Sequence, residues 1–259
     1  MAGKFSGYLL CSDFDGTITT DGKTVTPENL EAIRYFTSEG GYFTMATGRF
    51  PDHFIPMSDF GINAPVIALG GSVIADITDG VRVISEKNIS PEIIRRLGAD
   101  FMDGRIPDVV RLIIHSDSSS VTLTPGDPAN PERLSIALSR PVCKFIVMEE
   151  PAIGAELRVY MESRFSELDF EMSWPAGLEG FSSGVCKGSA VKELRSILYG
   201  IHTVVCVGDY ENDISMLKYA DIGYAPSNAF EKTKAAADRI TVSCRENAVA
   251  AIISELCGE

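Results

Sequence analysis

The most constraining feature of the sequence is a short apolar run that ends in two aspartates and a glycine. Tyr8 to Cys11 is short enough to form one buried β-strand, and Asp13, Asp15 and Gly16 follow it closely. Residues two apart in an extended chain point to the same side, so Asp13 and Asp15 can face one small volume. A shared proton or a hard cation such as Mg²⁺ would offset the repulsion between their carboxylates. Taken alone, the segment is equally compatible with a solvated acidic turn.

Strand and helix patterns alternate at both ends of the chain. Apolar spacing predicts a helix over 27–39, capped by Thr26, and then a strand over 42–46. Further strands are predicted over 203–207, 222–225 and 239–242, and further helices over 189–199 and 228–236. This order is typical of a parallel sheet with crossover helices, so we expect an α/β core with a Rossmann-like parallel sheet.

The middle of the chain has a different pattern. Helix, strand, strand, helix, strand, helix and strand follow one another between about Val81 and Trp174, which is typical of a separate α+β domain. We therefore predict a discontinuous core domain, residues 1–82 plus 184–259, and an inserted α/β cap domain, residues 83–183. Two nearby linkers would join them, which is the arrangement of a lid on a hinge.

Polar side chains follow several of the predicted core strands. Beyond Asp13 and Asp15, they are Thr47 and Arg49 after the second strand, Lys187 before a helix, and Asp209, Asn212 and Asp213 after the strand at 203–207. The carboxyl ends of parallel strands share one edge of a sheet, so these groups are expected to converge. Carboxylates, a lysine and a threonine hydroxyl suit a site that binds a metal ion and a phosphoryl group. For single residues other interpretations stay open: Arg49 as a surface residue, Asn212 as a helix cap, and Asp213 as an acid at the positive end of the following helix.

The chain resembles the haloacid dehalogenase (HAD) superfamily phosphatases, and within them the Cof-type hydrolases of subfamily IIB. The resemblance rests on Asp13-Phe14-Asp15-Gly16-Thr17, Thr47, Lys187 and the run from Gly208 to Asp213, in that order. It also rests on the long insertion between the second and third motifs, which is similar in size to the α/β cap of that branch. One departure is Gly70-Gly71-Ser72, which stands where many members have Asn-Gly-Ala.

The resemblance implies a role for each matched residue. Asp13 would be the nucleophile and a Mg²⁺ ligand, and Asp15 the general acid and base, with its backbone carbonyl also on the metal. Asp209 would supply the remaining carboxylate ligand. The residues expected to bind the phosphoryl group or the substrate are Thr47, Gly48, Arg49, Lys187 and Asn212, with Asp213 supporting Lys187.

Composition excludes several other classes of function. The formal charge of −13 argues against nucleic acid or an anionic membrane as a partner. The six cysteines form no Cys-x-x-Cys pair and there are only three histidines, so a zinc site is not expected. Scattered cysteines and the absence of any apolar run of membrane-spanning length predict a cytoplasmic protein.

The favoured hypothesis is a Mg²⁺-dependent phosphatase that hydrolyses a small phosphorylated metabolite through an aspartyl-phosphate. A sugar phosphate is the preferred substrate class, by analogy with enzymes that have this type of cap. The alternatives are a phosphomutase or phosphotransferase acting on sugar phosphates, and a catalytically silent sensor of a phosphorylated ligand. Release of free phosphate would separate the first of these from a phosphatase, and ligand-induced stabilisation without turnover would indicate the second.

Overall fold

The structure is a computed structural model that describes residues 3–258, and of residues 56–59 only the backbone. Up to residue 86 the elements are β1 (Tyr8–Ser12), α1 (Pro27–Ser38), β2 (Tyr42–Met45), β3 (Val66–Ala68), β4 (Val73–Asp76) and β5 (Arg82–Glu86). The middle of the chain forms α2 (Pro91–Met102), β6 (Arg111–His115), β7 (Ser120–Leu123), α3 (Asn130–Ala137), β8 (Lys144–Met148), α4 (Ala155–Arg164), β9 (Leu168–Trp174) and β10 (Gly177–Ser182). The last part forms α5 (Lys187–Ile197), β11 (Thr203–Val207), α6 (Ile214–Tyr219), β12 (Ile222–Pro226), α7 (Glu231–Ala236), β13 (Arg239–Thr241) and α8 (Ala248–Gly258). Short 3₁₀ segments cover Pro51–Phe60, Leu69–Gly71, Glu211–Asp213 and Cys244–Glu246.

The chain divides into two compact units. The first contains the residues up to Ile84 and from Cys186 onward, and the second runs from Ser85 to Val185. Within residues 3–258, no helix combines the length and the hydrophobicity that crossing a bilayer requires.

The first unit is built on a parallel sheet of five strands in the order β13-β12-β11-β1-β2. The predicted α/β fold class is confirmed. Since all five strands run in the same direction, the loops that follow β1, β2, β11 and β12 leave from one edge of the sheet. A separate small sheet in the order β3-β4-β5 begins with the antiparallel pair β3 and β4.

Local sequence explains why the first crossover forms as predicted. Thr26 caps α1 by accepting a hydrogen bond from the backbone of Asn29 at 3.4 Å, and Pro27 is the first helical residue. The buried residues Ile33 and Phe36 lie three apart on one face of this helix. This helix packs against β2 and α8 in the first unit.

The second unit is an antiparallel sheet in the order β7-β6-β8-β10-β9, with a hydrophobic core that includes residues of α2, α3 and α4. Its last strand, β10, was not predicted. Gly177 and Gly180 weaken the strand signal in the sequence because glycine is disfavoured in strands. In the structure both are needed, since a Cβ at either position would lie 2.2 Å from the ring of Trp174 or of Phe145, respectively.

Candidate active site

The loop after β1 places Asp13 at the edge of the parallel sheet. The backbone of Asp13 still donates to the carbonyl of Val207 at 2.9 Å, so the loop leaves the sheet beside the end of β11. Gly16 then turns with a φ of +79°, and a Cβ there would lie 2.5 Å from Oδ2 of Asp209. Only glycine combines that backbone conformation with so close an approach. The loop is thereby packed directly against the Asp209 carboxylate.

Lys187 is the buried cation of the site. It is the first residue of α5, and its Nζ donates to Oδ1 of Asp13 at 2.7 Å and to Oδ1 of Asp213 at 2.6 Å. Burial alone would lower the pKa of Lys187, but the two carboxylates outweigh it and raise that pKa above its ordinary value. Lys187 therefore stays charged while fully buried.

Asp213 is held on both sides. Besides accepting from Lys187 with Oδ1, it accepts with Oδ2 from the backbone N–H groups of Asp209 at 2.9 Å and Tyr210 at 3.1 Å. A carboxylate with both oxygens engaged in this way is poorly placed to bind a metal ion. Its geometry fits the expected supporting role toward Lys187 and the loop that carries Asp209.

The acidic groups of the site outnumber the basic one. Asp13, Asp209 and Asp213 each offer an oxygen within 4.8 Å of the other two, and Lys187 forms ion pairs with Asp13 and Asp213. Burial, followed by the charge of Asp213, raises the pKa of Asp209 to about 7. Burial also raises the pKa of Asp13, against the opposing effect of Lys187. The cluster therefore contains three carboxyl groups and one lysine, so it has more acidic than basic groups.

A hard divalent cation would offset the excess of acidic groups in this cluster. The donor atoms are all carboxylate oxygens, which Mg²⁺ prefers, and zinc would instead favour histidine and cysteine ligands. Because Asp213 is already engaged, Asp13 and Asp209 are the side chains best suited to hold the ion. Thr17 fixes the second of them, since its hydroxyl donates to Oδ1 of Asp209 at 3.0 Å.

Asp15 lies outside this carboxylate cluster. Its two oxygens accept from Nη2 of Arg49 at 2.6 Å and from Nε of Arg49 at 2.8 Å. The Asp15 side chain is 51% exposed and that of Arg49 is 31% exposed. The structure thus pairs two residues that the sequence analysis placed in different roles, one in acid–base chemistry and the other in substrate binding.

The remaining predicted site residues lie around these groups. Thr47 is fully buried, and its hydroxyl accepts from the backbone of Arg49 at 3.2 Å, with Gly48 between them in the loop after β2. Asn212 is buried in the 3₁₀ segment that precedes α6. It directly precedes Asp213 in the sequence, and its expected contact with phosphate stays a prediction.

Sequence reasoning missed two supporting residues. Asn228 donates from Nδ2 to the carbonyl of Gly16 at 2.9 Å and so anchors the loop after β1. It follows β12 at the same sheet edge, which is the signal that would have identified it. His53, in the 3₁₀ segment after β2, lies with Nε2 2.8 Å from Nη1 of Arg49. No spacing rule could have indicated it.

Comparison with known proteins places these residues in a family context. The profile of the haloacid dehalogenase-like hydrolase family matches residues 10–253. Two curated relatives from Bacillus subtilis are named as 5-amino-6-(5-phospho-D-ribitylamino)uracil phosphatases. One is 23% identical over 96% of this chain and 97% of its own length, and the other is 24% identical over 95% and 94%.

Solved structures show the same fold. A sugar phosphatase of HAD subclass IIB superposes with a TM-score of 0.80 at 21% identity, covering 96% of this chain and 98% of its own. A phosphatase from Bacteroides thetaiotaomicron superposes with a TM-score of 0.81, also at 21% identity, covering 98% and 96%. The shared architecture therefore extends over nearly the whole length of all three chains.

Proposed function

The chain belongs to the haloacid dehalogenase-like hydrolase family and is a phosphoric monoester hydrolase, and we propose that it works through an aspartyl-phosphate on Asp13 with Mg²⁺ bound beside it. The observation that carries this proposal is the largely buried cluster of Asp13, Asp209 and Asp213, in which Lys187 contacts only Asp13 and Asp213. Such an excess of buried carboxylate is costly unless a cation joins it. A cluster that binds a cation next to an exposed general acid suits phosphoryl transfer.

The first step is attack by Asp13. One of its carboxylate oxygens bonds to phosphorus, the bond between phosphorus and the ester oxygen breaks, and Asp15 gives its proton to the departing alcohol oxygen. Lys187 offsets the negative charge on the transferring phosphoryl oxygens, and the Thr47 hydroxyl positions them. A bound Mg²⁺ would supply the further positive charge that brings two anions together.

The second step releases phosphate. Asp15, now a carboxylate, takes a proton from water, and the water oxygen bonds to phosphorus while the bond from phosphorus to Asp13 breaks. The products are inorganic phosphate and the restored Asp13 carboxylate. The proton that Asp15 lost in the first step is thereby returned, so one residue serves both steps.

The proposed substrate is a phosphate monoester of a sugar or a sugar alcohol, taken from the cytoplasm. A sugar phosphatase is among the structural neighbours, and the two Bacillus relatives are named for a phosphoribityl compound. Both compound classes carry the phosphate on a polyhydroxylated carbon chain. Hydroxyl groups along such a chain offer many hydrogen bonds and no net charge, which suits a protein with a formal charge of −13.

The experiment that tests the proposal is a phosphate-release assay. The panel would contain hexose, pentose and ribityl phosphates, nucleotides, pyridoxal phosphate and flavin mononucleotide, each with Mg²⁺ and with a chelator. We expect Mg²⁺-dependent release that is fastest with the polyol phosphates. The Asp13→Asn variant, which keeps the shape of the side chain, should lose activity on the order of 10⁴-fold or more.

Other outcomes would contradict the proposal. Near-normal turnover by Asp13→Asn would exclude the aspartyl-phosphate. Phosphoryl transfer to a sugar without free phosphate would indicate a phosphomutase. Thermal stabilisation by a phosphorylated compound without any turnover would indicate a sensor.

A further inference from the structure

Arg49 forms a bidentate ion pair with Asp15. Nη2 donates to one carboxylate oxygen at 2.6 Å and Nε to the other at 2.8 Å. Paired bonds of this kind fix the plane and the direction of a carboxylate as well as its position. Although the Asp15 side chain is half-exposed, its orientation is therefore defined by one guanidinium group.

Arg49 is in turn held from two other directions. Its remaining terminal nitrogen, Nη1, lies 2.8 Å from Nε2 of His53. Its guanidinium carbon lies 5.0 Å from the centre of the Phe14 ring, within the range of a cation–π contact. The His53 ring packs against the same Phe14 ring in a T-shaped arrangement, with a centroid distance of 5.5 Å and an interplanar angle of 77°.

These contacts use three of the five N–H donors of the Arg49 guanidinium within the protein. Nε and both terminal nitrogens already have partners, and Phe14 lies against the guanidinium. The bidentate pair directs two of these donors at Asp15, whereas a phosphate-binding arginine would direct such a pair at phosphate oxygens. The geometry differs in this respect from the substrate-binding role expected for Arg49 from the sequence.

We propose that Arg49 is the positioning residue for Asp15 and that His53, together with Phe14, positions Arg49. The inference rests on the proposed function, in which Asp15 acts as acid and then as base. While Asp15 carries its proton, its other oxygen can still accept from Arg49, and between the two steps Asp15 is a carboxylate that accepts with both oxygens. In either state, free rotation of Asp15 would take it away from the reacting oxygen. Because the Arg49 guanidinium donates to both oxygens of the Asp15 carboxylate, it keeps Asp15 in one orientation until Asp15 activates the water.

Two aryl esters test the role of Arg49. p-Nitrophenolate leaves phosphorus readily without a proton. Phenol has a pKa of about 10, so phenolate is a poorer leaving group and needs an acid to protonate it as it departs. The measurement is the rate of the first turnover with p-nitrophenyl phosphate and with phenyl phosphate, for wild type, Arg49→Ala and Arg49→Lys. Both variants should slow the reaction of phenyl phosphate about tenfold more than that of p-nitrophenyl phosphate. Alanine removes the guanidinium, and lysine keeps the charge but cannot form the bidentate contact.

The same measurement in an Asp15→Asn background separates positioning from substrate binding. If Arg49 acts through Asp15, then Arg49→Ala added to Asp15→Asn should change the first-turnover rate less than about twofold. An equal rise in KM for both esters, persisting with Asp15→Asn, would overturn the proposal and identify Arg49 as a substrate-binding residue. Unchanged kinetics in both Arg49 variants would overturn it as well.

His53 variants test the outer part of the arrangement. His53→Gln keeps a polar group that can accept from Arg49, and His53→Phe removes it. We expect His53→Phe to reproduce the selective loss with phenyl phosphate to a smaller degree and His53→Gln to restore most of the rate. Equal rates for His53→Phe and wild type on both esters would exclude a role for His53.

A thermal-unfolding cycle distinguishes failure of this inference from failure of the proposed function. If wild type releases no phenol, nitrophenol or phosphate with Mg²⁺, the proposed function fails and the positioning role fails with it. If wild type is active but the melting-temperature shifts of Arg49→Lys and Asp15→Asn simply add, the contact between them is absent and only this inference is overturned. Non-additive shifts are the expected result.

Discussion

Lys187 and Asp13 lie 174 positions apart in the chain, yet Nζ of Lys187 donates to Oδ1 of Asp13 at 2.7 Å. The two residues come from opposite ends of the core, on either side of the whole second unit. Their contact joins the loop after β1 to the start of α5. The proposed nucleophile is therefore oriented by the segment of chain that returns to the core.

Replacing Lys187 should destabilise the protein strongly. Lys187→Met would leave Asp13 and Asp213 buried without their shared cation, a change that typically costs about 3–5 kcal/mol of unfolding free energy. Urea unfolding with chelator present would measure it. The matched control is Lys232→Met, whose amine is exposed and 3.6 Å from Glu211, and which should change stability by less than about 0.5 kcal/mol.

A double variant checks the cause of that loss. Adding Asp213→Asn to Lys187→Met removes one of the two uncompensated carboxylates, so part of the lost stability should return. An Asp213→Asn change that only deepens the loss would show that Lys187 stabilises the fold through packing of its side chain and not through charge.

Much of this site could be anticipated from the order of strands and polar residues. Asp13 follows β1, Thr47 follows β2 and Asp209 follows β11, and parallel strands bring such positions to one edge. The sequence predicted which residues lie at that edge because mainly apolar runs mark the strands and the polar residues follow directly after them. It could not predict side-chain directions, and the pairing of Asp15 with Arg49 depends on these.

Helix boundaries show where tertiary contacts override local patterns. The helix predicted over 228–236 begins only at Glu231. The residues before it are used by the site: Asn228 binds the carbonyl of Gly16, and the backbone of Phe230 donates to the carbonyl of Asp209 at 2.8 Å. The helix predicted over 189–199, by contrast, begins at Lys187 for a local reason, because Cys186 and Ser189 form a capping box there.

The contribution of Asp209 to the stability of the metal-free protein should fall as the pH rises toward neutrality. Because the pKa of Asp209 is raised to about 7, the folded state holds a proton that the unfolded state has lost above about pH 4. The contribution of this carboxyl to folding therefore falls between about pH 4 and pH 7, and the raised pKa of Asp13 acts in the same direction.

Added Mg²⁺ should reverse that trend, because it binds the deprotonated carboxylates. Melting temperatures at about pH 5 and about pH 8, with Mg²⁺ or with a sodium salt of matched ionic strength, would test this. The Mg²⁺-induced rise should be larger at the higher pH. A rise of equal size at both pH values would contradict metal binding by Asp13 and Asp209.

His115 in the second unit should make the protein sensitive to mild acid. Burial, followed by the charge of Lys144, lowers the pKa of His115 to about 3. Below its ordinary pKa of about 6.5 the unfolded state takes up a proton that the folded state refuses, so stability falls as the pH drops. The loss from this group should reach about 2 kcal/mol at about pH 5, measured by urea unfolding. His115→Gln should remove that part of the pH dependence, whereas His202→Gln should leave it in place.

Gly16 should matter for metal binding beyond its effect on the backbone. Gly16 has a φ of +79°, and Gly200, in the same unit, has a φ of +77°. A Cβ at Gly16 would lie 2.5 Å from the Asp209 carboxylate, whereas a Cβ at Gly200 would have nothing within 4 Å. Alanine at either position should therefore cost a similar backbone strain of about 1–2 kcal/mol. Only Gly16→Ala should also displace Asp209 and weaken Mg²⁺ binding by at least about tenfold, since shifts of metal-supporting groups typically cost 10–100-fold. Titration calorimetry with Mg²⁺ on both variants measures this, and equal Mg²⁺ affinities would show that Asp209 is not a ligand whose place the loop after β1 defines.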